Sequence, residues 1–212
     1  MRIHQHVNPL ENKYLIVPPI PNWNEVYKDP NQPLLLDLGS AGGHFLIKMA
    51  QTYPNQNFLG IEIRKPLVDR ANKWRSEMGL SNLYFFFGQA QVVLKPILES
   101  FPKKVLQYVT INFPDPWFKK RHRKRRMVNT ELLKTLAEFL QPGGKVFVQT
   151  DVEELMLDIK SHFETVPEFE LTQDGMDSNP FHIPTEREIS VQKLRRIVYR
   201  ALFTKKLPPQ TQ

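Results

Sequence analysis

The segment that most constrains this chain is Leu34-Leu35-Leu36-Asp37-Leu38. Its apolar residues follow one another without the alternation of a strand that has one wet face, so it reads as a parallel strand buried on both faces. Gly39, Gly42 and Gly43 follow at once, and His44-Phe45-Leu46-Ile47-Lys48-Met49-Ala50 then reads as a helix. Strand, glycine turn, helix is the opening of a nucleotide-binding βαβ unit. The glycines carry weight because the chain has only 9, and five of them fall in two clusters, the second being Gly143-Gly144. Concentrated in a glycine-poor chain, they mark backbone that turns sharply or comes close to a ligand.

The alternation continues. Residues 57–63 read as a second strand, followed by a helix from Pro66 with Leu67, Ala71, Trp74 and Met78 at helical spacing. Residues 83–87, 105–113 and 145–150 read as further strands, with helices over 90–98 and from about Thr130 to Leu140 between them. The latter is capped by Asn129 or Thr130 and stopped by Pro142-Gly143-Gly144. Asp151 is expected to cap a helix carrying Leu155, Ile159 and Phe163 on one face. Two last strands, 168–173 and 197–203, have no long helix between them, and 174–192 reads as a connecting loop. Five βα steps and a closing strand pair predict an α/β fold with a doubly wound, seven-stranded sheet. The organisation expected is an N-terminal extension over 1–32, one domain over 33–206 and a tail over 207–212.

Length agrees with one domain, since 212 residues would be cramped as two. No run approaches the ~18–20 apolar residues of a membrane span, and the start of the chain leads into no apolar signal core. A cytoplasmic protein with no membrane association is expected. With 0 cysteines there are no thiol nucleophiles, disulfides or Cys-ligated zinc, and no metal site is expected. Charge is concentrated: residues 119–126, Lys-Lys-Arg-His-Arg-Lys-Arg-Arg, hold seven of the 29 basic residues, and their removal leaves basic and acidic side chains balanced. A net charge of +7 placed at one internal site predicts a polyanionic partner docking there, with Arg121, Arg123, Lys124, Arg125 and Arg126 as phosphate contacts. The alternative docking group is Lys193, Arg195, Arg196 and Arg200.

Ligands of a doubly wound sheet sit at the carboxyl ends of its strands, near the switch in strand order. Asp37, Glu62, Gln89, Asn112 to Asp115 and Asp151 stand at those ends. A dinucleotide and S-adenosylmethionine both suit such a scaffold. The loop Asp37-x-Gly39-x-x-Gly42-Gly43 has Ala41 where a dinucleotide loop often has a middle glycine. A buried carboxylate at Asp37 would repel a pyrophosphate but suit a cationic amino and sulfonium ligand. Glu62 ends strand two, the place from which a carboxylate accepts both ribose hydroxyls. Gln89 offers a donor and an acceptor to an adenine. Each of these residues also has an ordinary reading as a cap or loop residue.

The most specific segment is Asn112-Phe113-Pro114-Asp115-Pro116-Trp117-Phe118-Lys119, which runs straight into the basic stretch. Two prolines bracket Asp115 and stiffen its backbone. Trp117 and Phe118 are placed to stack on a base whose phosphates the following cations would hold. The competing reading is a rigid turn with an aromatic buried in the core.

Through Leu-Asp-Leu-Gly-Ser-Ala-Gly-Gly at 36–43, Phe-Leu-Gly-Ile-Glu at 58–62, the segment at 112–126 and Thr150-Asp151, the chain resembles the bacterial tRNA (guanine-N7-)-methyltransferases of cyanobacterial type over roughly residues 30–203. The resemblance implies a Rossmann-like, class I S-adenosylmethionine-dependent methyltransferase, active on guanosine 46 in the tRNA variable loop, as a monomer or homodimer. It implies that Asp37, Gly39, Glu62, Gln89 and Asp115 bind or face S-adenosylmethionine and that Asp115 is catalytic. Substrate binding is implied for Lys119, Asp151 and the Thr-x-x-Glu motif at Thr185, Glu186 and Glu188. Two positions depart from the family pattern: Gln89 stands where Asp is common, and Arg187 replaces an aromatic residue.

Guanine N7 has a free lone pair and no proton, so its methylation needs alignment rather than a general base. The purine becomes cationic as the methyl arrives, and a fixed carboxylate beside it is favourable. Three other readings stay open on the residues alone: an exocyclic-amine methyltransferase, from the likeness of 112–117 to an Asn/Asp-Pro-Pro-aromatic motif; a dehydrogenase, disfavoured by Asp37; and a non-catalytic RNA-binding protein on the same fold.

Overall fold

The structure, a computed structural model, describes residues 7–208. The start of the expected N-terminal extension and most of the expected tail over 207–212 lie outside the described residues. After a short helix α1 (Trp23–Val26), strands and helices alternate: β1 (Leu34–Leu38), α2 (His44–Thr52), β2 (Asn57–Glu62), α3 (Lys65–Glu77), β3 (Leu83–Phe87) and α4 (Ala90–Ser100). They continue as β4 (Leu106–Asn112), α5 (Thr130–Phe139), β5 (Lys145–Thr150), α6 (Glu153–Glu164), β6 (Phe169–Asp174), α7 (Glu186–Lys193) and β7 (Tyr199–Lys205). All seven strands form one sheet in the order β3-β2-β1-β4-β5-β7-β6. β7 runs antiparallel to β5 and β6, and the other pairings are parallel. Strand order reverses between β1 and β4, so the crevice expected to bind a ligand opens there.

The strands are apolar throughout because both faces are covered. Leu34, Leu36 and Leu38 of β1 join Leu59 and Ile61 of β2 under α4, α5 and α6. Leu35, Phe58 and Phe85 point the other way, against Phe45, Leu46, Val68 and Ala71 of α2 and α3. Close approach of the glycine loop requires two missing side chains. Gly43 has φ +83°, and a Cβ there would stand 2.7 Å from the Phe85 ring; a Cβ on Gly60 would stand 2.6 Å from Ser40 Oγ.

Two sequence expectations change, and the extension proves to pack against the domain. The extension over 1–32 adds no strand among its described residues, yet Trp23 stacks on Phe101 at 4.3 Å and the Tyr27 hydroxyl donates to the Phe58 carbonyl at 3.0 Å. Two aromatics in a Pro- and Asn-rich stretch have no periodicity to announce that burial. Asp151 does not cap α6; the cap position is Val152, without a side-chain cap bond, and the Asp151 carboxylate pairs with Arg187 Nη2 at 2.6 Å. The 174–192 loop contains most of α7, whose buried positions are Glu188 and Val191. A charged residue on the inner face hides the apolar period that would have marked a helix.

Candidate active site

The reversal point gathers the strand-end acids. Asp37 is 3% exposed, and its Oδ1 accepts from Thr110 Oγ1 at 2.7 Å and from Asn112 Nδ2 at 2.9 Å. Burial pushes its carboxyl up to about 6; the Glu62 charge pushes the same way, and the two hydrogen bonds oppose it. A cationic group beside Asp37 would reverse that shift, which is the chemistry of an amino-sulfonium ligand rather than of a phosphate.

Glu62 is also buried and is fully engaged by backbone and by its neighbour. Its Oε2 accepts from the Ala41 amide at 2.9 Å and Arg64 Nη2 at 3.0 Å; its Oε1 accepts from the Arg64 amide at 2.9 Å and Arg64 Nε at 2.8 Å. Ala41 has φ +48°, an uncommon conformation for a residue with a Cβ, and its bond to Glu62 holds the loop in it. Arg64 is held charged by this hydrogen-bonded partner first, and by the charge of Asp115 as well. Two ribose hydroxyls at Glu62 would therefore replace Arg64 side-chain bonds. Gln89 lies at the end of β3 and caps α4, its Oε1 accepting from the Val92 amide at 2.9 Å while Nε2 donates to Gln91 Oε1 at 3.0 Å. The cap leaves Gln89 on the cavity wall; nothing in the structure explains Gln there in place of Asp.

A cleft of about 810 Å³, open to solvent, is lined by Gly39, Glu62, Arg64, Gln89, Asp115, Trp117, Arg125 and Met127. A second, smaller recess, also open to solvent, is lined by Asp37, the glycine loop, His44 and the Thr185-Glu186-Arg187 corner. The two share Gly39, Asn112 and Phe113 as a wall. The sequence candidates at the ends of β1 to β4 thus line two adjoining recesses, Asp37 in the second and Glu62, Gln89 and Asp115 in the first.

The segment after β4 is rigid for a reason beyond its prolines. Phe113 and Trp117, on either side of Pro114-Asp115-Pro116, have φ +50° and +43°. Non-glycine residues in this region cost on the order of 1 kcal/mol or more each, a strain that persists only where the surroundings enforce it. Trp117 is partly exposed on the cleft wall, covered by the Arg125 guanidinium at 5.0 Å, and Phe118 is 66% exposed. A turn with its aromatics in the core is not what forms.

Lys120–Arg125 form a 3-10 turn beside the cleft. Lys119, Lys120, Arg121, Arg123 and Lys124 are exposed. Partial desolvation, and then repulsion from Arg125, Arg121 and Lys119, holds His122 below the usual imidazole range. Arg126 departs from its expected role as a phosphate contact. It is buried, with Nε donating to the Pro116 carbonyl at 2.8 Å and Nη1 paired with Asp158 at 2.9 Å. Its guanidinium ties the Asp115 segment to α6 and has no face left for RNA. Arg123 also pairs with Glu154 while staying half exposed. Replacing Lys120, Arg121 and Lys124 by Gln should flatten the slope of log RNA affinity against log salt by about 2–3 units. Arg126→Gln should instead lower the melting temperature and leave the slope nearly unchanged; salt-titrated binding and thermal melts separate the two.

The Thr-x-x-Glu motif divides by position. Thr185 and Glu188 form a capping box at the start of α7, and Glu186 and Arg187 reach the second cavity. His44 Nδ1 lies 2.9 Å from Glu186 Oε2, and Arg187 bridges to Asp151, so this corner spans from α2 to the end of β5. Glu188 is 2% exposed and bound to Arg200, Asn179 and Gln149, so its side chain is engaged within the fold. Arg200 is likewise buried and leaves the alternative docking group to Lys193, Arg195 and Arg196. Sequence reasoning overlooked Arg64, Thr110, Gln149 and Asn179. Gln149 and Arg200 did carry a signal, as polar residues inside the apolar runs of β5 and β7.

Among solved structures, the chain is similar to the 16S rRNA methyltransferase KamB (TM-score 0.61, 14% identity, 87% of this chain and 91% of that one). It is also similar to TrmN from Thermus thermophilus (TM-score 0.57, 19% identity, 83% of this chain and 44% of that one). With the strand-end acids, these define the class I S-adenosylmethionine-dependent methyltransferase fold. Residues 31–201 match the sequence model of a family described as "Putative methyltransferase". A tRNA (guanine-N(7)-)-methyltransferase of Synechococcus elongatus is 50% identical over 204 residues, covering 96% of each chain. One of Trichormus variabilis is 48% identical over 205 residues, covering 96% of this chain and 95% of that one. The chain belongs to the tRNA (guanine-N7-)-methyltransferase family.

Proposed function

We propose that the protein transfers a methyl group from S-adenosylmethionine to N7 of a guanosine in tRNA, guanosine 46 of the variable loop being the target. The observation that carries this reading is the gathering of Glu62, Gln89 and Asp115 around one cleft, with Asp37 in the recess beside it and an exposed cationic turn nearby. Among the described residues no helix is long and apolar enough to cross a membrane.

The donor supplies a methyl group activated on a positively charged sulfur. Asp37 would pair with its amino group, Glu62 would accept from its ribose hydroxyls, and Gln89 and Gly39 would border its base. Asp115, fixed between two prolines next to Arg64, faces both donor and guanine. Its carboxylate accepts from guanine N1 and N2, selects guanine over adenine, and stabilises the positive charge that the ring acquires as N7 is methylated. No proton is removed at N7, so Asp115 acts through charge and position. Lys119, four residues further on, Asp151, Thr185 and Glu186 border the target nucleotide, while Lys120, Arg121 and Lys124 hold tRNA phosphates.

The decisive experiment is mass spectrometry of nucleosides from tRNA incubated with the protein and labelled donor. The expected product is 7-methylguanosine in the variable loop. Labelled N6-methyladenosine or N2-methylguanosine would move the protein to the exocyclic-amine methyltransferases, and thermal stabilisation by the demethylated donor separates an enzyme from a non-catalytic RNA-binding protein.

A second expected result concerns Glu62→Ala. Donor affinity should fall by about 1.5–3 kcal/mol, the usual loss for hydrogen bonds to a charged group, with tRNA affinity nearly intact. Unchanged calorimetric binding of the demethylated donor would place Glu62 outside the pocket.

A further inference from the structure

We propose that Arg200 is a positioning residue for the methyl donor, acting through Gln149 and Asn112 to dictate which atom is turned toward Asp37. The inference rests on the reading of Asp37 as the partner of the donor's amino group.

The four residues are linked side by side across the sheet. Asn112 of β4 is paired in register with Gln149 of β5, and Gln149 with Arg200 of β7. Arg200 Nε donates to Gln149 Oε1 at 3.2 Å, Gln149 Nε2 donates to Asn112 Oδ1 at 2.9 Å, and Asn112 Nδ2 donates to Asp37 Oδ1 at 2.9 Å. The direction of the chain follows from its ends. A guanidinium has donors only, so the Gln149 atom facing Arg200 must be its carbonyl oxygen. That turns Nε2 toward Asn112 and toward Glu188 Oε2, 3.2 Å away, which as a carboxylate has only acceptors to offer. Asn112 must then present Oδ1 to Gln149 and its NH₂ to Asp37. With Thr110 donating to the same Oδ1, both side-chain donors hold one oxygen of Asp37 and leave Oδ2 for a cation. Without the fixed end, Asn112 could turn its carbonyl to Asp37, setting two acceptors against each other.

The setting of Arg200 argues that more than packing is involved. It is 4% exposed near the start of β7, just before the buried run Ala201-Leu202-Phe203, and is paired with Glu188 at 2.9 Å. Two further carbonyls, Met176 and Asp177, accept from Nη1 at 3.1 Å each. Apolar residues of similar volume often stabilise a core as well as a buried ion pair does, or better. The arrangement is therefore explained by what the guanidinium orients.

The test compares calorimetric binding of the demethylated donor, tRNA affinity and thermal melting in the full chain. The double variant Arg200→Gln, Glu188→Gln removes the directing ends without leaving a buried charge unpaired. It should melt cooperatively and bind the demethylated donor about tenfold more weakly, with tRNA affinity within about twofold of wild type. Gln149→Leu, which cuts the chain and keeps the ion pair, should give a similar loss and decides the matter if the double variant does not fold. Arg200→Lys retains a donor-only end and should stay within about threefold of wild type. Wild-type donor affinity in folded Gln149→Leu, or Arg200→Lys as weak as the double variant, would overturn the proposal. Asp37→Asn separates the two levels: if it too binds like wild type, the reading of Asp37 fails; if it binds weakly while Gln149→Leu does not, only the relay fails.

Discussion

Asp37→Asn is expected to make the donor-free protein more stable at neutral pH while nearly abolishing donor binding. Burial raises the Asp37 carboxyl from 3.8 to about 6, so the folded protein holds on to this proton more tightly than the unfolded chain does. Above about pH 6 the charge must be kept in a buried site; the penalty is then complete and corresponds to ~3 kcal/mol. As pH falls through 6 the group protonates in the folded state, and near pH 4 the penalty is gone. Asn112 and Thr110 can still donate to the amide oxygen of the substituted residue. The melting temperature should therefore rise at pH 7.5 by up to several degrees, with little difference from wild type near pH 4. Loss of the charge leaves the donor's amino group without its partner, so the demethylated donor should bind at least tenfold more weakly. A lower melting temperature at pH 7.5, or unchanged donor affinity, would mean that Asp37 is a structural acid and not a ligand-binding one.

Asp115→Asn isolates charge from shape in the same way. The two prolines and the strained Phe113 and Trp117 hold the backbone whatever the side chain, so the turn should survive. Turnover is expected to fall by about 10²-fold or more, the scale on which the loss of one fixed electrostatic stabiliser is felt. Single-turnover measurements with saturating donor and tRNA place the loss in the chemical step, and binding of both should change little. Near wild-type turnover would reduce Asp115 to a turn residue.

Much of this was legible in advance because the signals are local. A continuous apolar run cannot be satisfied on a one-sided sheet, so β1 announced a fold covered on both faces. Gly43 and Gly60 occupy places where a Cβ would collide with Phe85 or Ser40, and the first of them stood in the cluster that marked the loop. The acids at 37, 62 and 115 were found because βα periodicity places strand ends, and strand ends line the crevice. Localisation of the net charge in 119–126 needed only counting, but its division did not. Lys120, Arg121 and Lys124 face water, whereas Arg126 was claimed by Asp158 and the Pro116 carbonyl, partners distant in sequence that folding brings to it.

Residue order alone therefore settles the strand-turn-helix succession, the glycine loop and the acids at the strand ends, because backbone sterics and apolar period act over a few residues. Direction and partnership in the polar core were decided by the tertiary structure. Glu188, read from sequence as a motif residue for substrate, also accepts from Arg200 of β7 and Gln149 of β5, which the chain places far from it. The amide of Asn112 lies between Asp37 and Gln149 because β1, β4 and β5 are neighbours in the sheet. These contacts join residues up to 75 positions apart, and a buried donor or acceptor must find its partner in space, whatever lies next to it in the chain.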